Sequence, residues 1–94
     1  MVVFITSKIP EIGIQLLQKK YGVKIYSKPN LIPRNVLIEE VKKCAGLISL
    51  LTDKIDKEVI DSMQNCRVVA NYAVGFNNID IVFAKRKGIV VTNT

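Results

Sequence analysis

An α/β domain with a doubly wound parallel sheet of five strands, ordered 2-1-3-4-5 and layered α/β/α, is what the sequence predicts. Three observations carry it. Five short runs rich in Val, Ile and Leu alternate with four stretches of helical apolar spacing, the runs are apolar rather than alternating with polar residues, and Gly or Pro marks most changeovers. Continuous apolar runs fit strands covered on both faces, and strand–helix alternation fits parallel connections. The order is a common doubly wound arrangement for five strands.

Val2 to Thr6 is the first strand, β-branched and aromatic. "SKIPEIGIQLLQKKYG" follows as a helix, with Pro10 in the first turn, Ile12/Leu16 and Leu17/Tyr21 four apart on the buried face, and Gly22 as the stop. Val23 to Ser27 is the second strand. Pro33 opens a second helix with Leu37, Val41 and Cys44 or Ala45 as its stripe and Gly46 as its end. Leu47 to Leu51 is the third strand. Asp56 caps a short helix carrying Val59, Ile60 and Met63, and Arg67 to Asn71 is the fourth strand. Asp80 caps the last helix, which Gly88 ends, and Ile89 to Thr92 is the fifth strand.

Ninety-four residues with 49% hydrophobic content build one modest core and leave no room for a second full domain. No apolar run reaches the roughly 20 residues of a membrane span, and the N-terminus lacks the features of a leader, so a cytoplasmic location is expected. Cys44 and Cys66, without a CxxC pairing and in a chain without histidine, read as reduced, partly buried small residues and not as metal ligands. The net charge of +6 raises nucleic acid as a partner. The cations, however, group at Lys19/Lys20, Lys42/Lys43 and Lys85/Arg86/Lys87, where helices end and the dipole favours them. With few aromatics among them, neither nucleic acid nor membrane is expected as a partner.

In this fold ligands bind outside the carboxyl ends of the strands. "TSKIP", "LLTDK" and "NYAVGFNNID" therefore share one edge. Gly75 lets the backbone approach a ligand, and the N–H groups of Val74 and Gly75 form a natural pair for a carboxylate or phosphate oxygen. Spacing alone favours a plainer reading, with Gly75, Asn77 and Asn78 as turn residues, Asp80 as a cap, and the Asp53/Asp56 pair as solvated. There is no GxGxxG, no P-loop lysine motif and no histidine, which removes a recognisable dinucleotide site and any Ser/His/Asp triad.

"VFITSKIPEIGIQLL", "SLLTDKIDKEVIDSM" and above all "NYAVGFNNIDIVFAKRKGIVVTNT" resemble the first part of the D-isomer-specific 2-hydroxyacid dehydrogenases, nearest to the glyoxylate and hydroxypyruvate reductases. The resemblance runs over essentially the whole chain. It implies a flavodoxin-like substrate domain, in the family joined to a Rossmann domain that binds NAD or NADP. It further implies that the Val74 and Gly75 amides receive the carboxylate of a small 2-oxo or 2-hydroxy acid and that Leu51 lines the pocket for its side chain. Asn77 stands where the family has aspartate, and the amide is expected to keep the local turn and hydrogen bond without the charge.

The family's glycine-rich loop and its catalytic arginine, glutamate and histidine have no counterpart in residues 1–94. The expected function is therefore that of a truncated substrate domain, inactive alone, with no catalytic, cofactor-binding or metal-ligating residue of its own. The nucleotide site would lie on the continuation or on a separate chain. A homo-oligomer, most simply a dimer, is expected from an exposed last strand. The alternative is a stand-alone, non-enzymatic binding or interaction module that kept the fold.

Overall fold

A computed structural model describes residues 1–93. The elements run β1 (Val2–Ile5), α1 (Glu11–Gln18), β2 (Gly22–Ile25), α2 (Arg34–Val41), β3 (Gly46–Leu50), α3 (Lys57–Asp61), β4 (Val68–Tyr72), α4 (Ile81–Arg86) and β5 (Val90–Asn93). All pairings are parallel, in the order β2-β1-β3-β4-β5. The predicted architecture is the observed one.

Only the step from β1 to β2 runs leftward across the sheet, so right-handed crossovers put α1 on one face and α2, α3 and α4 on the other. The second face holds the main core, where Phe4, Leu47 and Val69 meet Leu37, Val41, Val59, Ile60 and Ala84. The α1 face is thinly covered. Ile5 and Ile14 are buried outside the main cluster, while Val68, Tyr72 and Val90, toward the far side of the sheet, are exposed.

The buried stripe of α1 differs from the expected one. Ile12 and Leu16 are 67% and 58% exposed, and Ile14 is the buried residue, with Leu17 half-buried. An eight-residue helix with apolar residues on two sides can seat only one of them, and its spacing does not say which. Gly22 and Gly46 are also not helix stops. They open β2 and β3, the helices having ended at Gln18 and Val41. Gly88 does end α4, with φ 76°, a conformation that glycine adopts without strain.

Both predicted caps form. The Asp56 side chain accepts from Val59 N–H and that of Asp80 from Phe83 N–H. Asp56 also receives the Arg34 guanidinium at 2.8 Å. Partial burial pushes its carboxyl up, but the bonds from Arg34 and the Val59 amide outweigh this and hold it below the usual carboxylate range. A folded-state pKa depressed in this way adds stability above the unfolded value of about 3.9, and that stability is lost as pH falls through the folded pKa. Asp56→Asn keeps a capping oxygen and removes the charge. It is expected to lower stability by about 0.5–1 kcal/mol at neutral pH, with the gap closing in urea unfolding as pH falls through the folded pKa. A gap independent of pH would contradict the ion pair's role.

Candidate functional site

The carboxyl edge of the sheet changes character within one row of residues. On the main-core face, Leu47, Val69 and Val91 are aligned in register, with Phe4 beside Leu47. Two residues further along, Ser49, Asn71 and Asn93 are aligned, and the Thr6 N–H bonds the Ile48 carbonyl beside Ser49. An apolar row is thus followed by a polar one. Thr6, Ser49 and Asn71 are buried, as is Asp53 in the loop above them.

Buried polar groups of this kind are costly unless paired, and here they are paired with the loops. Thr6 Oγ1 donates to Asp53 Oδ2, which also accepts from Leu50 N–H at 2.8 Å. Ser49 Oγ donates to Asn71 Oδ1 at 2.9 Å. Asn71 Nδ2 donates to the Gly75 carbonyl and to Asn78 Oδ1, each at 2.9 Å. Asn78 Nδ2 is directed at three acceptors: the carbonyls of Leu50 at 3.0 Å and Asp53 at 2.9 Å, and Asn71 Oδ1 at 3.1 Å. Asn93 Nδ2 donates to the Val74 carbonyl. Asn78 therefore ties the loop after β3 to the loop after β4.

The sequence-derived candidates lie on these loops. Leu51 follows β3 directly and is 55% exposed; Val74, beyond β4, is 88% exposed. The carbonyls of Val74 and Gly75 are engaged, but their N–H groups donate to no acceptor among the described residues. Gly75 has no positive φ, and a Cβ built on it meets nothing within 4 Å. The turn does not require glycine there, so the plain turn-residue reading loses its physical basis at this position. Asn77 and Asn78 do occupy the centre of a turn closed by Ile79 N–H on the Phe76 carbonyl at 2.9 Å.

Two expectations are corrected. Asp53 is not solvated. It is 3% exposed and organises the loop after β3, while Asp56 pairs with Arg34. Asn77 is exposed, and among the described residues its side chain makes no hydrogen bond, so the bond expected of it is absent. Nothing in the spacing of Thr6, Ser49, Asn71 and Asn78 announces this network in the sequence. A polar side chain interrupting an apolar strand, as Ser49 and Asn71 do, was the available signal.

A hollow of 460 Å³ lies elsewhere, between α4 and β5, lined by Phe76, Ile81, Ile89 and Val91 among others. It is mostly apolar and includes none of the candidates. The residues present do not suit a dinucleotide. The turn between β1 and α1 contains no glycine, and Glu11 puts a carboxylate in the first helical turn, where a pyrophosphate would need positive potential. Among the described residues no cluster of three His, Cys, Asp or Glu could hold a metal, and no helix is long and apolar enough to cross a membrane.

Residues 3–94 match the family described as D-isomer specific 2-hydroxyacid dehydrogenase, catalytic domain. Glyoxylate reductase of Pyrococcus horikoshii is 47% identical over 92 residues, which is 98% of this chain and 28% of that protein. The crystal structure of the TT0316 protein from Thermus thermophilus superimposes with a TM-score of 0.91 at 30% identity, over 97% of this chain and 29% of that one. NAD+-bound 3-phosphoglycerate dehydrogenase of Entamoeba histolytica does so with a TM-score of 0.82 at 25% identity, over 100% of this chain and 32% of that one. The chain thus spans less than a third of the length of the proteins it matches.

Proposed function

The chain belongs to the D-isomer specific 2-hydroxyacid dehydrogenase family, and from that premise we propose that it is the substrate-binding part of an NAD(P)-dependent, glyoxylate-reductase-like oxidoreductase and is inactive by itself. The observation that carries this reading is the pair of N–H groups at Val74 and Gly75. They sit on a loop tethered through its carbonyls and donate to no acceptor among the described residues. Adjacent fixed amides suit a carboxylate, which a small 2-oxo or 2-hydroxy acid supplies. Leu51, at the end of the neighbouring strand, meets the rest of that acid. Hydride transfer also needs a nicotinamide, a cation at the carbonyl and a proton donor. In this reading those come from the remainder of a whole enzyme or from a separate nucleotide-binding chain. Two free thiols fit a reducing, cytoplasmic setting.

Calorimetric titration with glyoxylate tests the site. Saturable binding is expected, weakened on the order of tenfold or more by Gly75→Val, whose side chain obstructs the approach to the amides. Gly75→Ala is expected to change stability by less than about 0.5 kcal/mol, because its Cβ has room. Equal binding by parent and valine variant would remove the proposal in favour of a stand-alone interaction module. NADH or NADPH oxidation by the chain alone at whole-enzyme rates would remove its inactivity.

The open face and edge bear on association. Val90 is 59% exposed on the edge strand, paired with exposed Val68, and Tyr72 is exposed further along β4. Uncovered strand edges and apolar patches associate, so the chain by itself is expected to form a homo-oligomer, most simply a dimer. Light scattering that found a monomer at high concentration would count against this.

A further inference from the structure

Cys44 and Cys66 stand 22 positions apart, the same offset at which Gly46 pairs with Val68 across β3 and β4 and at which Ser49 bonds Asn71. The strand pairing continues toward the cysteines, because Arg67 N–H donates to the Ala45 carbonyl at 2.9 Å. That bond holds the segments that carry the two cysteines side by side at the amino ends of adjacent strands, and there, ahead of the strands proper, both side chains enter the main core. Both side chains are buried in the same core cluster, at 1% and 3% exposure, and each thiol influences the ionisation of the other. Neighbours in a parallel pair have the Cα separation that a disulfide needs.

We infer that Cys44 and Cys66 form a dithiol pair that closes to an intradomain disulfide when met by a two-electron oxidant such as a peroxide. The roles of the thiols are unequal. The neighbouring Cys66 and burial push the Cys44 thiol up, while the neighbouring Cys44 lowers Cys66 against the effect of burial. Cys66 is thus the first to react. Its thiolate attacks one peroxide oxygen, the O–O bond breaks, and a sulfenic acid and one water result. Cys44 then attacks the Cys66 sulfur, the S–O bond breaks, the S–S bond forms and a second water leaves. Two thiols lose two electrons and two protons, and the peroxide is reduced to two waters.

Burial makes the reaction slow, but exposed Lys43, Asn65 and Arg67 flank the pair, so local opening of the sheet's amino edge admits a small oxidant. The bond lies at the edge opposite the Val74 and Gly75 loop, so it staples the scaffold without altering the site.

The test is to treat the folded chain with hydrogen peroxide, alkylate remaining thiols under denaturing conditions, and measure intact mass and a non-reducing peptide map. The expected product is a monomer lighter by two hydrogens, with the Cys44 and Cys66 peptides linked. Its melting midpoint should rise on the order of 10 °C, since the bond closes a loop of about 20 residues, and dithiothreitol should reverse the change. Cys44→Ser and, should that variant not fold, Cys44→Ala should lose this species and carry Cys66 to sulfinic acid or to intermolecular dimers. Recovery of two free thiols, of singly over-oxidised cysteines, or of intermolecular links alone from the parent chain would overturn the inference.

Discussion

Asn78→Ala is expected to lower the stability of the chain by about 3 kcal/mol and its melting temperature by roughly 15 °C. The alanine deletes the donor directed at the Leu50 and Asp53 carbonyls and both halves of the reciprocal amide pair with Asn71. Asn71 is 2% exposed, so water does not readily replace the lost partner, and an unsatisfied buried polar group costs about 1–3 kcal/mol. For a domain whose total stability is on the order of 5–14 kcal/mol, this is a large fraction. Asn78→Asp is expected to be at least as damaging, because it turns an oxygen toward three acceptors. Thermal and urea unfolding followed by circular dichroism measure the effect. A loss below about 1 kcal/mol would show that water enters and takes over the amide's role. The same substitution unties the loop after β4 from the loop after β3, so weaker glyoxylate binding should accompany it.

Asp53→Ala is expected to cost about 2–4 kcal/mol, with Asp53→Asn costing less than half as much. One carboxylate oxygen serves both the Thr6 hydroxyl and the Leu50 N–H. Alanine leaves both donors without that acceptor, whereas asparagine keeps an oxygen where it is needed. A double-mutant cycle with Thr6→Val separates this from general loop damage. Coupling of about 1 kcal/mol or more is expected for residues in direct contact, and values near zero would mean that the two side chains act independently.

Both predictions fall on residues whose importance the sequence left obscure. In the sequence Asp53 reads as one of a solvated pair because it lies in "LTDK", a stretch with the composition of a surface turn. Its partner in the interior is Thr6, 47 positions away and just beyond the end of β1. The same holds for Cys44 and Cys66, which without CxxC spacing look unrelated until the bond from Arg67 N–H to the Ala45 carbonyl joins the segments that carry them. On α1, an apolar pattern on two sides of the helix identified the element but not the side that seats against the sheet.

The sequence by itself determined the five strands, the caps at Asp56 and Asp80, the helix end at Gly88, the loop that carries Val74 and Gly75, and the family. These follow from apolar period, from side chains that bond backbone three residues away, and from a compact motif, all of which are local in the chain. Only the tertiary structure decided the polar row beneath that loop, the burial of Asp53, the thin cover over the α1 face and the meeting of the two thiols. Each depends on which segments, distant in the chain, the fold brings together, and within the strands a one-residue slip of register would send the polar row to the opposite face.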